Sequence, residues 1–140
     1  MLRRPTFGIS ILALALLTAG AQAQDSDTKA ARAAVDAWLS LVDAANYAQS
    51  WETAATFFKN AIPSEKWQAA VKTARGPFGA FKSRTQKSAT TAKTLPGAPD
   101  GEYVVFDFES TYENKAAAAE RVTVVREKDG SWRAVGYFIK

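Results

Sequence analysis

The 140-residue chain contains no histidine and no cysteine. Without them, serine–histidine and cysteine–histidine nucleophilic catalysis have no base and no thiol. Zinc, copper and haem centres lose their usual ligands. No disulfide can brace the fold, even in a compartment that would allow one. A dense basic block is also missing: the formal charge is +4, spread along the chain, and nothing resembles a track for a phosphate backbone. No cofactor, metal or nucleic acid is therefore expected. Only carboxylates, tyrosines, lysines and arginines are left for chemistry.

What is present begins with "MLRRPTFGISILALALLTAGAQAQ". Arg3 and Arg4 precede an apolar run from Phe7 to Leu17, and Ala21-Gln22-Ala23 fits an A-x-A cleavage site. This is the anatomy of a secretory leader. The run is shorter than the roughly 20 apolar residues of a spanning helix. Residues 1–23 are read as a signal peptide and residues 24–140 as a single α+β domain, periplasmic or secreted, with no membrane span after cleavage. The leader holds two of the 18 basic residues and none of the 14 acidic ones, so the mature charge falls to +2.

Apolar residues then recur with a helical period. Ala31, Val35, Trp38, Leu39 and Val42 form one stripe on a helix over about 28–45. Asn46 followed by Gln49 has capping-box spacing, which predicts a second helix through Trp51, Ala54, Ala55 and Phe58. Pro63 and Ser64 punctuate the chain before a third helix. That helix carries Trp67, Ala70, Val71 and Ala74 and stops at Gly76-Pro77. "PFGAFKSR" is compatible with one more short helical turn.

After residue 83 the period changes to two. Residues 84–95 read as a polar edge strand, and "LPGAPDGE" as a turn. In "YVVFDFESTY", Val104, Phe106 and Phe108 share one face and Asp107, Glu109 and Thr111 the other. "NKAAAAE" is left open between loop and helical insert. "RVTVVREK" is a third strand and "WRAVGYFI" a fourth. A three-residue loop, Lys128-Asp129-Gly130 with the glycine left-handed, sets Arg126 opposite Trp132, Val124 opposite Ala134 and Val122 opposite Gly136. It avoids the Arg126–Arg133 like-charge pair of a two-residue turn. The expected fold is three N-terminal helices on one face of a four-stranded antiparallel meander. The last strand then has two apolar faces, with Val135, Tyr137 and Ile139 on the uncovered one. That row calls for a cover, a homodimer through the sheet face or a ligand pocket.

The motifs "NYAQSWETAATFF", "PFGAFKSR", "PGAPDGEYVVFDFESTYENK" and "ERVTVVREKDGSWRAVGYFIK", with Trp67 between them, resemble the small secreted bacterial family known as domain of unknown function 4019. The resemblance covers roughly residues 30–140. It implies a location and no activity. More loosely, the helices-plus-meander plan resembles cystatin-like and nuclear-transport-factor-like folds, which host enzymes and binding modules alike.

Candidate site residues follow from the side chains left available. Asp107 with Tyr103 or Tyr112 is the candidate carboxylate–tyrosine pair for proton transfer. Its competitor is a solvated strand carboxylate paired across to a lysine or arginine. Asp107 with Glu109, or the short "DGE" at 100–102, falls short of a calcium loop. Arg75 and Arg84 bracket a turn and could hold an anion. Arg84, Tyr112 and Trp132 are the candidate binding contacts. The functional expectation is a non-enzymatic binding or interaction module of the cell envelope, taking a small ligand or an envelope protein. The alternatives are an enzyme with a carboxylate–tyrosine pocket and an assembly accessory acting through protein contacts alone.

Overall fold

The computed structural model describes the backbone of residues 16–140 and the side chains of residues 24–140. Most of the leader lies outside the described residues. The backbone of residues 16–23 continues the first helix, α1, Leu16–Asp43. Its stripe is the one the sequence predicts: Ala31, Val35, Trp38, Leu39 and Val42 are all buried. They pack on Val104, Phe106, Phe108, Val122 and Val124 of the sheet.

The second predicted helix is two. α2 spans Tyr47–Glu52 and α3 spans Thr56–Ala61. The break is tertiary in origin. Ala54 and Ala55 are fully buried, and the Ala55 N–H donates to the Ala134 carbonyl of the last strand at 2.8 Å. An uninterrupted helix would spend that donor internally. Asn46 stands at the N-cap of α2 without a side-chain capping bond, so the predicted capping box is not formed. α4 spans Ser64–Arg75 with Pro63 at the N-cap. Ser64 is its first helical residue, and its hydroxyl accepts from Gln68 Nε2 at 3.0 Å. The turn expected in "PFGAFKSR" is a single 3₁₀ turn, Gly76–Phe78.

Four strands follow, β1 Phe81–Ala92, β2 Tyr103–Tyr112, β3 Lys115–Arg126 and β4 Trp132–Ile139. They form an antiparallel meander in the order β1-β2-β3-β4. The chain is thus α+β, with N-terminal helices on one face of the sheet. "KAAAAE" is strand. Tertiary pairing with β2 and β4 overrides the low strand preference of alanine. Gly79 has φ +75°, and a Cβ there would meet Asn114 and Glu113 atoms at 2.9–3.0 Å. Only glycine lets the lead into β1 lie so close to the β2–β3 hairpin.

Near its turn the β3–β4 hairpin adopts the predicted register, Arg126↔Trp132 and Val124↔Ala134, with Gly130 at φ +86°. Beyond it the register shifts. Thr123 pairs with Gly136 and Val122 with Tyr137, not with Gly136, leaving Val135 as a bulge residue. One extra residue turns every later side chain to the opposite face. Tyr137 therefore leaves the uncovered row expected from strict alternation and points under the helices. There it packs against Trp38 and Trp67 at centroid distances of 5.5 and 6.1 Å. Phe138 faces outward instead, 53% exposed.

Candidate functional site

At one end of the helix-covered face, six elements each deliver a polar side chain to one buried cluster. α1 and α4 contribute their last residues, Asp43 and Arg75. β1 supplies Arg84, β2 supplies Ser110 and Tyr112, β3 supplies Glu120, and β4 supplies Tyr137. The registers explain the convergence. Arg84 is directly opposite Ser110. Glu120 lies one position from Ser110's partner Ala118 on the same face, and Tyr137, turned inward by the bulge, is its diagonal neighbour on the other side.

Glu120 is the centre, with its side chain fully buried. Its Oε1 accepts from Arg84 Nε at 2.6 Å and Ser110 Oγ at 2.8 Å. Its Oε2 accepts from the Tyr112 hydroxyl at 2.8 Å and from the Tyr137 hydroxyl. Arg84 reaches onward to both oxygens of Asp43 at 3.1 Å. Arg75 Nη2 donates to Asp43 at 2.7 Å. Arg84 also lies 4.2 Å from the Phe81 ring centroid, and Arg75 lies 5.0 Å from that of Tyr112. Two guanidinium groups thus answer two carboxylates, and the interior carries no net charge there. Arg75 Nη1 is the single buried side-chain nitrogen or oxygen without a hydrogen-bond partner among the described residues.

These contacts set the protonation states. Burial pushes the Glu120 carboxyl up, but Arg84 and the hydroxyls outweigh it and hold the group below the usual carboxylate range. Burial, the Glu120 charge and the bond to it push the Tyr137 hydroxyl far above its ordinary value. Tyr112 is raised in the same way. Burial disfavours the Arg84 charge, yet Asp43 and Glu120 together raise its pKa. The cluster is an ionised pair of ion pairs with neutral tyrosines as donors.

Of the residues singled out from the sequence, Arg84 and Tyr112 meet in this cluster, 3.4 Å apart. Arg75 joins them. Neither Arg84 nor Tyr112 offers an open surface, since both point under the helices. Asp107 sits on the opposite, outer face, where Arg121 grips it in two bonds of 2.7 and 3.1 Å and Ser88 donates at 3.2 Å. That grip holds its carboxyl below the ordinary range. Tyr103 donates to the Pro99 carbonyl. The oxygens of Asp107 are bonded to Arg121 and Ser88, so Asp107 and Tyr103 form no hydrogen-bonded pair. Trp132 lies at the far end of the helix-covered face, about 20 Å from Glu120 by strand rise. It walls a cleft of about 450 Å³ between α1 and the sheet, shared with Asp27, Thr28, Thr91, Glu102 and Tyr103. Asp43, Ser110, Glu120 and Tyr137 are members of the buried cluster that the sequence reading missed. Glu120 left a signal: it interrupts the alternation Ala118, Val122, Val124 at an inward position.

A helix-covered meander with a neutral ion-pair cluster sealed at one end and a cleft at the other defines a small α+β domain. The chain belongs to the family described as protein of unknown function (DUF4019), whose model matches residues 34–137. No curated protein and no solved structure is significantly similar to it.

Proposed function

We propose that the protein is an extracytoplasmic, non-enzymatic binding module whose cluster at Glu120 is structural and whose ligand or partner enters the cleft at Trp132. The observation that carries this reading is the saturation of Glu120. Four donors occupy its two oxygens. A general base needs a free lone pair and a pKa near the working pH, and this group has neither. The Trp132 cleft offers the complementary features: aromatic walls from Trp132 and Tyr103, with the polar atoms of Thr28 and Thr91 beside them. Apolar walls with a few placed polar groups are what small-ligand sites share.

Carboxyl-resolved carbon NMR of the processed protein tests the first half. Glu120 is expected to stay ionised, with no transition between pH 5 and pH 9, whereas a midpoint inside that window favours the carboxylate–tyrosine enzyme. The sign for stability follows. A carboxyl depressed on folding contributes stability that is fully present above its unfolded pKa of about 4.3 and is lost as pH falls through the folded value. The raised tyrosines do the reverse: their contribution is full below about pH 10 and is lost as pH rises from there. Location has its own test. Mass spectrometry of protein from the periplasmic fraction is expected to give an N-terminus at Gln24, within a residue or two. Full-length chain in cytosol or inner membrane contradicts it.

A further inference from the structure

The two edges of the sheet are treated differently. β4 is partly covered: its Ala134 carbonyl is capped by Ala55 at 2.8 Å, and Arg133 reaches the Thr53 carbonyl at 3.4 Å. β1 is the longer edge, 12 residues, and it is rich in threonine and serine, which favour strands. A long, open, strand-prone edge is a template for pairing with another chain. Yet β1 is broken twice. Its register against β2 slips between Phe81 and Ser83 and again between Gln86 and Ser88. The extra residue is a lysine each time, Lys82 and Lys87, and both are exposed. Residues 76–99 contain no aspartate or glutamate, so nothing on the strand neutralises them.

We propose that the two lysine bulges of β1 form an edge guard that keeps this strand from pairing with β1 of a second copy. The bulges spoil the straight row of donors and acceptors a partner strand needs. Antiparallel self-pairing also brings lysine-bearing, acid-free strands together, and like charges across a ladder repel. The guard acts at the edge and leaves the cleft and the outer face open to partners.

Removing the bulged residues tests this without moving any other side chain to the wrong face. With Lys82 deleted, Phe81 and Ser83 become neighbours opposite Tyr112 and Thr111, already on alternate faces; the same holds for Gln86 and Ser88 when Lys87 is deleted. Adding Thr90→Lys to the deletion restores a charge on β1, so it reverses the association only where this edge is the contact. The parent itself is expected to be unaffected by Thr90→Lys in sedimentation equilibrium. The double deletion is expected to self-associate about tenfold more tightly, as two relieved like-charge contacts imply, and to lose that gain with Thr90→Lys. If the double deletion does not fold, deletion of Lys87 alone decides by the same two readings. A folded deletion that associates no more than the parent, or whose gain survives Thr90→Lys, overturns the proposal.

Discussion

Replacing Arg84 with methionine is expected to destabilise the domain by about 3–5 kcal/mol, the range for removing one partner of a buried pair. The side chain is 10% exposed and holds Glu120 and Asp43 together. Without it Glu120 keeps only neutral donors, and Asp43 keeps only Arg75. Urea unfolding measures the loss. The double variant Arg84→Met/Glu120→Gln separates charge from packing. The amide still accepts from the hydroxyls, and no carboxylate is stranded at its position, so about half of the loss or more is expected to return. Losses that simply add in the double variant would show that Arg84 acts through packing rather than through its charge.

Trp67→Ala is expected to cost about as much, 3–5 kcal/mol for a large aromatic removed from a core. Trp67 is the hinge of the aromatic cluster. Its ring meets Trp38 at 5.8 Å, Phe58 at 5.1 Å and Tyr137 at 6.1 Å between centroids. Its indole N–H donates to the buried Ser50 hydroxyl at 2.9 Å. Trp67→Phe keeps one aromatic ring and loses the donor with part of the ring area, so its loss is expected to be smaller, about 1–3 kcal/mol. Equal losses in the two variants would mean that the hydrogen bond to Ser50 of α2, not the ring, holds α4 in place.

The parts of the molecule legible in the sequence are those governed by one repeating period. The α1 stripe from Ala31 to Val42 and the alternation Val104, Phe106, Phe108 each follow from local spacing, and the structure buries all of these residues. The Arg126↔Trp132 register near the turn followed from turn chemistry and charge. The cluster around Glu120 was illegible because it depends on events that break the period. The bulge at Val135 is what turns Tyr137 inward. The tetra-alanine run that carries β3 to Glu120 has little strand preference of its own. Asp43 and Arg75 are helix-terminal residues that meet only because α1 and α4 end at the same corner of the sheet. Arg84 and Tyr112 were singled out as surface contacts, yet alternation alone could not tell that both lie beneath the helices.

The convergence of six elements on that corner bears on how the domain comes apart. α1, α4 and all four strands each lend one or two groups to a set whose charges cancel only when every member is seated. No segment can peel back alone without leaving an opposite charge or a donor stranded in a dry interior. Fraying at this end is thereby tied to loss of the whole. Amide protons near Asp43, Arg84 and Glu120 are expected to exchange with solvent through global rather than local opening, and those at the Trp132 end, held by exposed pairs such as Arg126 with Asp27 and Glu102, to exchange faster through local opening.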